Sequence, residues 1–285
     1  MKKIYFLFSI FISLILISAT LPATDDVYSI LRKMITKTDQ IKGMQYEMRQ
    51  IERMDGKMVD QKSLIKYDRV NFKIYAKQLV GGTVGLEVLY KKGWNNKKAL
   101  INPNGFPWIN VSLSPFGNQM RNGQHHTLLD VGFELFAPIM ESMLDRHGKA
   151  INTMGENKGT RNFDGHQVWD INIKNPHFKW VNHVVKKGET ITSIATKKKV
   201  SEYMILMKNK GVDSYTDIKV GQTIKIPTEY AAQITLFIDQ QTLLPLVLKI
   251  YDDEGLFEHY EFLKLQIDPP FKTDEFSKNY KHYGF

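Results

Sequence analysis

Side chains able to do chemistry are sparse in this chain, and each has a plain structural alternative. His125-His126 places two imidazoles in succession, as a metal site could use. Adjacent residues on an extended chain point to opposite sides, however, so the pair is not expected to share an ion. The glycines of Val80-Gly81-Gly82-Thr83-Val84-Gly85 lie between strand-like stretches and open no helix, which a phosphate-cradling loop requires. Asp252-Asp253-Glu254-Gly255 reads as a hairpin turn. The chain has no cysteine, so thiol nucleophiles and disulfides are excluded together. With no nucleophile beside a base and no paired-carboxylate motif, the sequence points to a binding protein without metal or cofactor.

A clearer pattern runs from His183 to Pro227. It divides into a strand (His183 to Lys186), a Lys187-Gly188 turn and a helix with Ile191, Ile194 and Ala195 inward. After a break at Val200-Ser201 come a second helix with Ile205 and Leu206 inward, a loop through Asn209 and Gly211, and a strand from Thr223 to Ile226 closed by Pro227. The order is β-α-α-β. Between His183 and Thr228 nine lysines face four acids, a local charge of +5 within a chain of net +9. Such a basic module suits anionic wall and membrane surfaces.

These residues resemble a LysM domain. The match rests on Gly188, Thr190, Ile194-Ala195, Ile205-Leu206, Asn209, Val220-Gly221-Gln222 and Ile226-Pro227, within a module placed at residues 182–228. Two departures touch the loops: Glu189 stands where aspartate is usual, and the segment Lys210 to Asp217 is long. The resemblance implies a shallow groove for peptidoglycan or a related N-acetylglucosamine polymer. Gly188, Glu189, Thr190 and Ile191 would form one side, and Lys210, Gly211 and Val212 the other. If its two strands pair antiparallel, the module starts and ends side by side and can replace a hairpin loop in a host sheet.

The elements around it are strand-rich. Residues 1–23, with Lys2, Lys3, an apolar run from Ile4 to Ile17 and small residues to Ala23, read as a secretory signal peptide cut after Ala23 or Ala19. The mature chain is then expected to be soluble and periplasmic or otherwise exported. Without a cysteine it is not a lipoprotein, and export argues against a nucleic-acid partner. Val27, Ile30, Leu31, Met34 and Ile35 recur at helical spacing behind Asp26. Alternation of period two follows from Met44, with hairpin turns at Asp55-Gly56 and Asp164-Gly165. A helix is expected from Leu128 to Leu144, bent at Pro138, and strands at Lys149 to Met154 and beyond.

The host, residues 24–181 and 229–285, is similar to an uncharacterised envelope family related in fold to the periplasmic lipoprotein carrier LolA. The likeness is carried by Gly85 to Pro103, Ser112 to Phe133 and Ile234 to Phe262. It implies an α+β fold: a strongly curved antiparallel sheet, a half barrel, whose covering helices enclose an apolar cavity for a lipid or acyl chain. Phe133, Phe136 and Ile139 would face that ligand. The family supplies no catalytic residue to carry over. Two alternatives remain at this level: a peptidoglycan-processing enzyme with an unrecognised site, and a wall-bound structural scaffold. Met140-Glu141-Ser142 resembles the Glu-Ser pair of lytic transglycosylases, but nothing downstream continues that pattern, and Glu141 reads as a charge on a helix surface.

Overall fold

The computed structural model describes residues 26–106 and 108–285. The expected signal peptide lies outside the described residues. Asp26 accepts the Ser29 amide at 2.7 Å and so caps helix α1 (Val27–Gln40), whose stripe of Ile30, Leu31, Met34 and Ile35 is buried. Strands β1 (Gly43–Met54), β2 (Lys57–Asp68), β3 (Lys73–Val80), β4 (Glu87–Lys91), β5 (Ala99–Asn102) and β6 (Val111–Leu113) follow as consecutive hairpins. At the first of these turns Asp55 and Gly56 both have positive φ, 48° and 78°. That is the type I′ geometry whose twist matches the strands it joins.

The chain next forms α2 (Asn118–Arg121), α3 (Phe136–His147), α4 (Ile151–Met154), β7 (Gly155–Phe163) and β8 (His166–Lys174). A separate two-stranded sheet, β9 (Trp180–Val184) and β10 (Thr223–Pro227), holds α5 (Ile191–Lys198) and α6 (Glu202–Lys208) between its strands. Strands β11 (Gln233–Asp239), β12 (Pro245–Asp252) and β13 (Gly255–Ile267) complete the large sheet. Its order is β6-β5-β4-β3-β2-β1-β13-β12-β11-β8-β7, antiparallel throughout and not closed into a barrel. The fold is α+β.

One face of this sheet carries the main core. The buried faces of α1 and α3 meet Met44, Tyr46, Ile171, Ile173, Leu236, Leu248 and Phe262, and Arg32 bonds Asp145 at 2.7 Å across the two helices. The opposite face is covered in part by the C-terminal segment, where Tyr283 stacks on Tyr75 at 3.6 Å.

Two expected elements are corrected. The helix expected from Leu128 starts at Phe136. Ahead of it Thr127 and Asp130 cap a single 3-10 turn, and Gly132 adopts φ +64°, which breaks helical continuity. Pro138 therefore falls in the first turn of α3, where a missing amide donor costs nothing, so it introduces no kink. Residues 149–154 are helical, in a 3-10 turn and α4, rather than a strand; a four-residue apolar-polar alternation is too short to fix the period, and buried Ile151 serves a helix equally well.

Candidate functional site

The sheet encloses a cavity of about 360 Å³. Its wall takes residues from eight adjacent strands, from Leu113 on β6 through Ile101, Val88, Ala76, Ile65 and Met48 to Phe262 and Leu248 on β12. Eight flat strands would span about 34 Å, so one small cavity can touch them all only because the sheet curves around it. The α3 side is closed by Leu135, Phe136 and Ile139. Phe136 and Ile139 thus line the cavity, whereas Phe133 is buried outside it, packed on Phe262 at 4.8 Å between ring centroids.

At one end the apolar wall gives way to a buried polar group. Glu52 on β1 and Glu258 on β13 are directly cross-strand, and each is only 1% exposed. Two carboxylates side by side in a dry wall must be compensated, and six hydrogen bonds do this. Glu52 accepts from Gln50 Nε2 at 2.7 Å, from the His125 amide at 2.9 Å and from the Tyr260 hydroxyl. Glu258 Oε1 receives His125 Nδ1 at 2.9 Å and His126 Nε2 at 3.1 Å, and its Oε2 receives the Tyr230 hydroxyl at 3.1 Å. His125 Nε2 meets the Arg53 carbonyl at 3.0 Å.

Burial disfavours a charged imidazole at His126, but the Glu258 charge outweighs burial and raises its pKa to about 9. Burial likewise favours a neutral Glu258, and the neighbouring His126 and His125 reverse this, lowering it to about 2. Tyr230 and Tyr260 are pushed well above the ordinary phenol value, first by burial and then by Glu258. Glu258 is therefore held ionised, and both carboxylates are already supplied with donors.

The histidine pair behaves differently from its sequence reading. Residues 125 and 126 lie in a bend, not an extended strand, so both rings converge on one oxygen of Glu258. Among the described residues no group of three or more His, Cys, Asp or Glu side chains is arranged so that it could hold a metal ion. Sequence reasoning missed Glu52, Glu258, Tyr230 and Tyr260. The available signal was phase: Tyr46, Met48, Gln50 and Glu52 share one face of β1, as Glu258, Tyr260 and Phe262 do on β13.

The second site is the small β9-α5-α6-β10 unit. Gly188 turns with φ +83° and is exposed. Glu189 accepts the Lys186 amide at 2.9 Å and bonds His183 Nε2 at 2.7 Å. Those contacts, the Lys186 amide first, hold its carboxyl below the usual range. Thr190 and Ser193 form a capping box at the start of α5. Ile191 and Val212 are buried in one shared core, while Lys210 and Gly211 are exposed, Gly211 with φ +82°. The Ile191 amide donates to the Tyr215 carbonyl at 2.9 Å, tying the first loop to the second. Asn209 braces the closing strand through Lys225, donating to its carbonyl at 2.8 Å and accepting its amide at 2.7 Å.

This unit is inserted between two paired strands, since Lys174 at the end of β8 sits opposite Gln233 at the start of β11. It also docks on the host. Tyr203 and Met204 of α6 join the main core, Arg121 pairs with Glu202 and lies 3.2 Å from the Tyr215 ring centre, and Trp180 donates to Asp253 at 3.0 Å.

The LysM domain family matches residues 183–227, and the family described as a protein of unknown function, DUF1571, matches residues 41–182. The chain thus carries a LysM domain within a larger antiparallel-sheet domain. No curated protein matches the sequence. Similar solved structures include MucB, with 12% identity and a TM-score of 0.43 over 87% of this chain; the chain spans 62% of that protein's length. A LolA superfamily protein from Nitrosomonas europaea has 9% identity and a TM-score of 0.35, covering 90% of this chain and 99% of its own. LprF from Mycobacterium bovis has 13% identity and a TM-score of 0.36, covering 86% and 94%. No helix among the described residues is long and apolar enough to cross a membrane.

Proposed function

We propose that this chain is an exported, non-enzymatic protein of the cell envelope. Its LysM domain, placed at residues 182–228, holds peptidoglycan or a related N-acetylglucosamine polymer through Gly188, Glu189, Thr190 and Ile191 on one side and Lys210, Gly211 and Val212 on the other. Its host, residues 24–181 and 229–285, keeps a lipid or acyl chain in the curved sheet. The observation that carries the second half is the cavity of about 360 Å³, walled by Met48, Ile65, Ile101, Phe136, Ile139 and Leu248. An ordinary core packs to near-crystalline density and leaves no such space, while ligand pockets run from ~300 Å³ upward.

The buried Glu52 and Glu258 pair favours a second reading, a glycan hydrolase. Such an enzyme needs one carboxyl that keeps a proton to donate. Here Glu258 is held ionised and Glu52 is surrounded by donors, so neither is poised as an acid. Incubating the mature protein with purified sacculi decides between them: sedimentation without released fragments supports binding, and soluble muropeptides overturn it. Mass spectrometry of lipids co-purifying with the protein tests the cavity.

A further inference from the structure

Among the described residues the cavity lining contains no lysine and no arginine, although the chain as a whole carries 39 of them and a net charge of +9. It does contain three carboxylates, Glu52, Asp130 and Glu258. Among the lining residues the basic side chain is His126, which directs its Nε2 at Glu258, with His125 behind it on the same oxygen. Asp130 is held by the amide and hydroxyl of Thr127, both at 2.8 Å, and its charge also helps to hold His126 protonated. The rest of the polar end is amide and hydroxyl: Gln50, Ser63, Gln78, Gln119, Asn122 and Gln124. Gln119 and Asn122 are exposed at the rim and carry no side-chain hydrogen bond to the described protein.

We infer that the ligand of this cavity is an acyl chain with an uncharged head rich in hydroxyl or amide groups, and that carboxylate- and phosphate-headed lipids are selected against. This rests on the acyl-chain reading proposed above and specifies the head. An anionic head entering the polar end meets three carboxylates against the single His126 imidazole, at low local dielectric, with no lysine or arginine in the lining to pair it. A head bearing hydroxyls or an amide finds matched donors and acceptors on the Gln119 and Asn122 side chains, each of which offers both. A cationic head would be drawn to the carboxylates, but Glu52 and Glu258 each already accept three donors, and His126 adds a like charge beside them.

The test keeps the chain constant and changes the head. The mature protein is loaded with a neutral fluorescent dodecyl amide, which is displaced below micelle concentrations by monododecanoylglycerol, dodecanoate, dodecyl phosphate or dodecylamine. The glycerol ester is expected to displace the probe at about tenfold lower concentration than either anion. In Asp130→Asn, and separately in Glu52→Gln, the gap between ester and anions should narrow by several-fold with the fold retained. Equal or better competition by dodecanoate or dodecyl phosphate, or a clear preference for dodecylamine, overturns the inference while leaving the acyl-chain reading standing. If the parent takes up neither probe nor any of the four, that reading falls and this one with it.

Discussion

The Tyr203 ring, on α6 of the LysM domain, stacks on the His125 imidazole of the host with centroids 4.2 Å apart and planes 20° from parallel. His125 in turn donates to Glu258 in the cavity wall. One residue, His125, therefore separates the LysM domain from the cavity wall, and Tyr203 and Met204 are buried in the core of the host. The module is expected to unfold with its host in one transition. Tyr203→Ala removes a buried aromatic and should cost about 3 to 5 kcal/mol. It should also split the calorimetric melt into two. A parent that already melts in two steps would show that the docking carries no cooperativity.

The His126 and Glu258 pair sets a pH dependence whose sign follows from its shifts. A raised imidazole contributes stability that is complete below its ordinary value of 6.5 and is lost as pH climbs through about 9. A lowered carboxylate contributes stability that is complete above 4.5 and is lost as pH falls through about 2. Both are in full effect from about pH 5 to 6.5. The difference in urea midpoint between the parent and His126→Gln should therefore be largest near pH 6 and shrink by about pH 9.5. A difference that stays constant over that range would show that His126 acts through packing alone.

How far the fold could be read in advance depended on local signals. Asp26 as a cap, the Asp55-Gly56 turn and the β-α-α-β order are set by neighbours in sequence, and each stands in the structure. The start of α3 was misplaced because Gly132 and the Thr127 cap interrupt an apolar pattern that otherwise runs on. The cavity's polar end was not legible as a cluster, since Glu52 and Glu258 are far apart in the chain and meet only through strand register. Their phase was legible. A glutamate on the same face as Tyr46 and Met48 is a charge in a core-facing row, which a folded protein retains only with partners.

The two loops proposed to hold glycan rest on left-handed turns at Gly188 and Gly211. Gly188 and Gly211 have open space where a Cβ would sit, so substitution meets strain from φ and not from crowding. Gly188→Ala should cost the module about 1 kcal/mol and shift the loop that presents Glu189 and Thr190. The fraction sedimenting with sacculi should fall several-fold, with the host's cavity binding unchanged. Normal sedimentation of this variant and of Gly211→Ala together would place the glycan surface elsewhere on the domain.

Phe133 and Phe136 lie three residues apart, at the approach to α3 and at its start, and only the second faces the cavity. Phe133 is 4% exposed and packed against Phe262, so an aspartate there puts an unpaired charge in a closed core. That should cost on the order of 4 kcal/mol or more and leave much of the protein unfolded. Phe136 is half-buried and borders open volume. An aspartate there can reach water through the cavity, so Phe136→Asp should fold while losing uptake of a neutral acyl probe by about tenfold, with wall binding intact. Circular dichroism establishes folding, and probe titration with sacculus sedimentation reads the two activities. The contrast separates a cavity from a core. If both variants unfold alike, Phe136 is structural and the acyl chain has no room beside α3; if Phe136→Asp folds and binds probe as the parent does, the ligand lies along another part of the sheet.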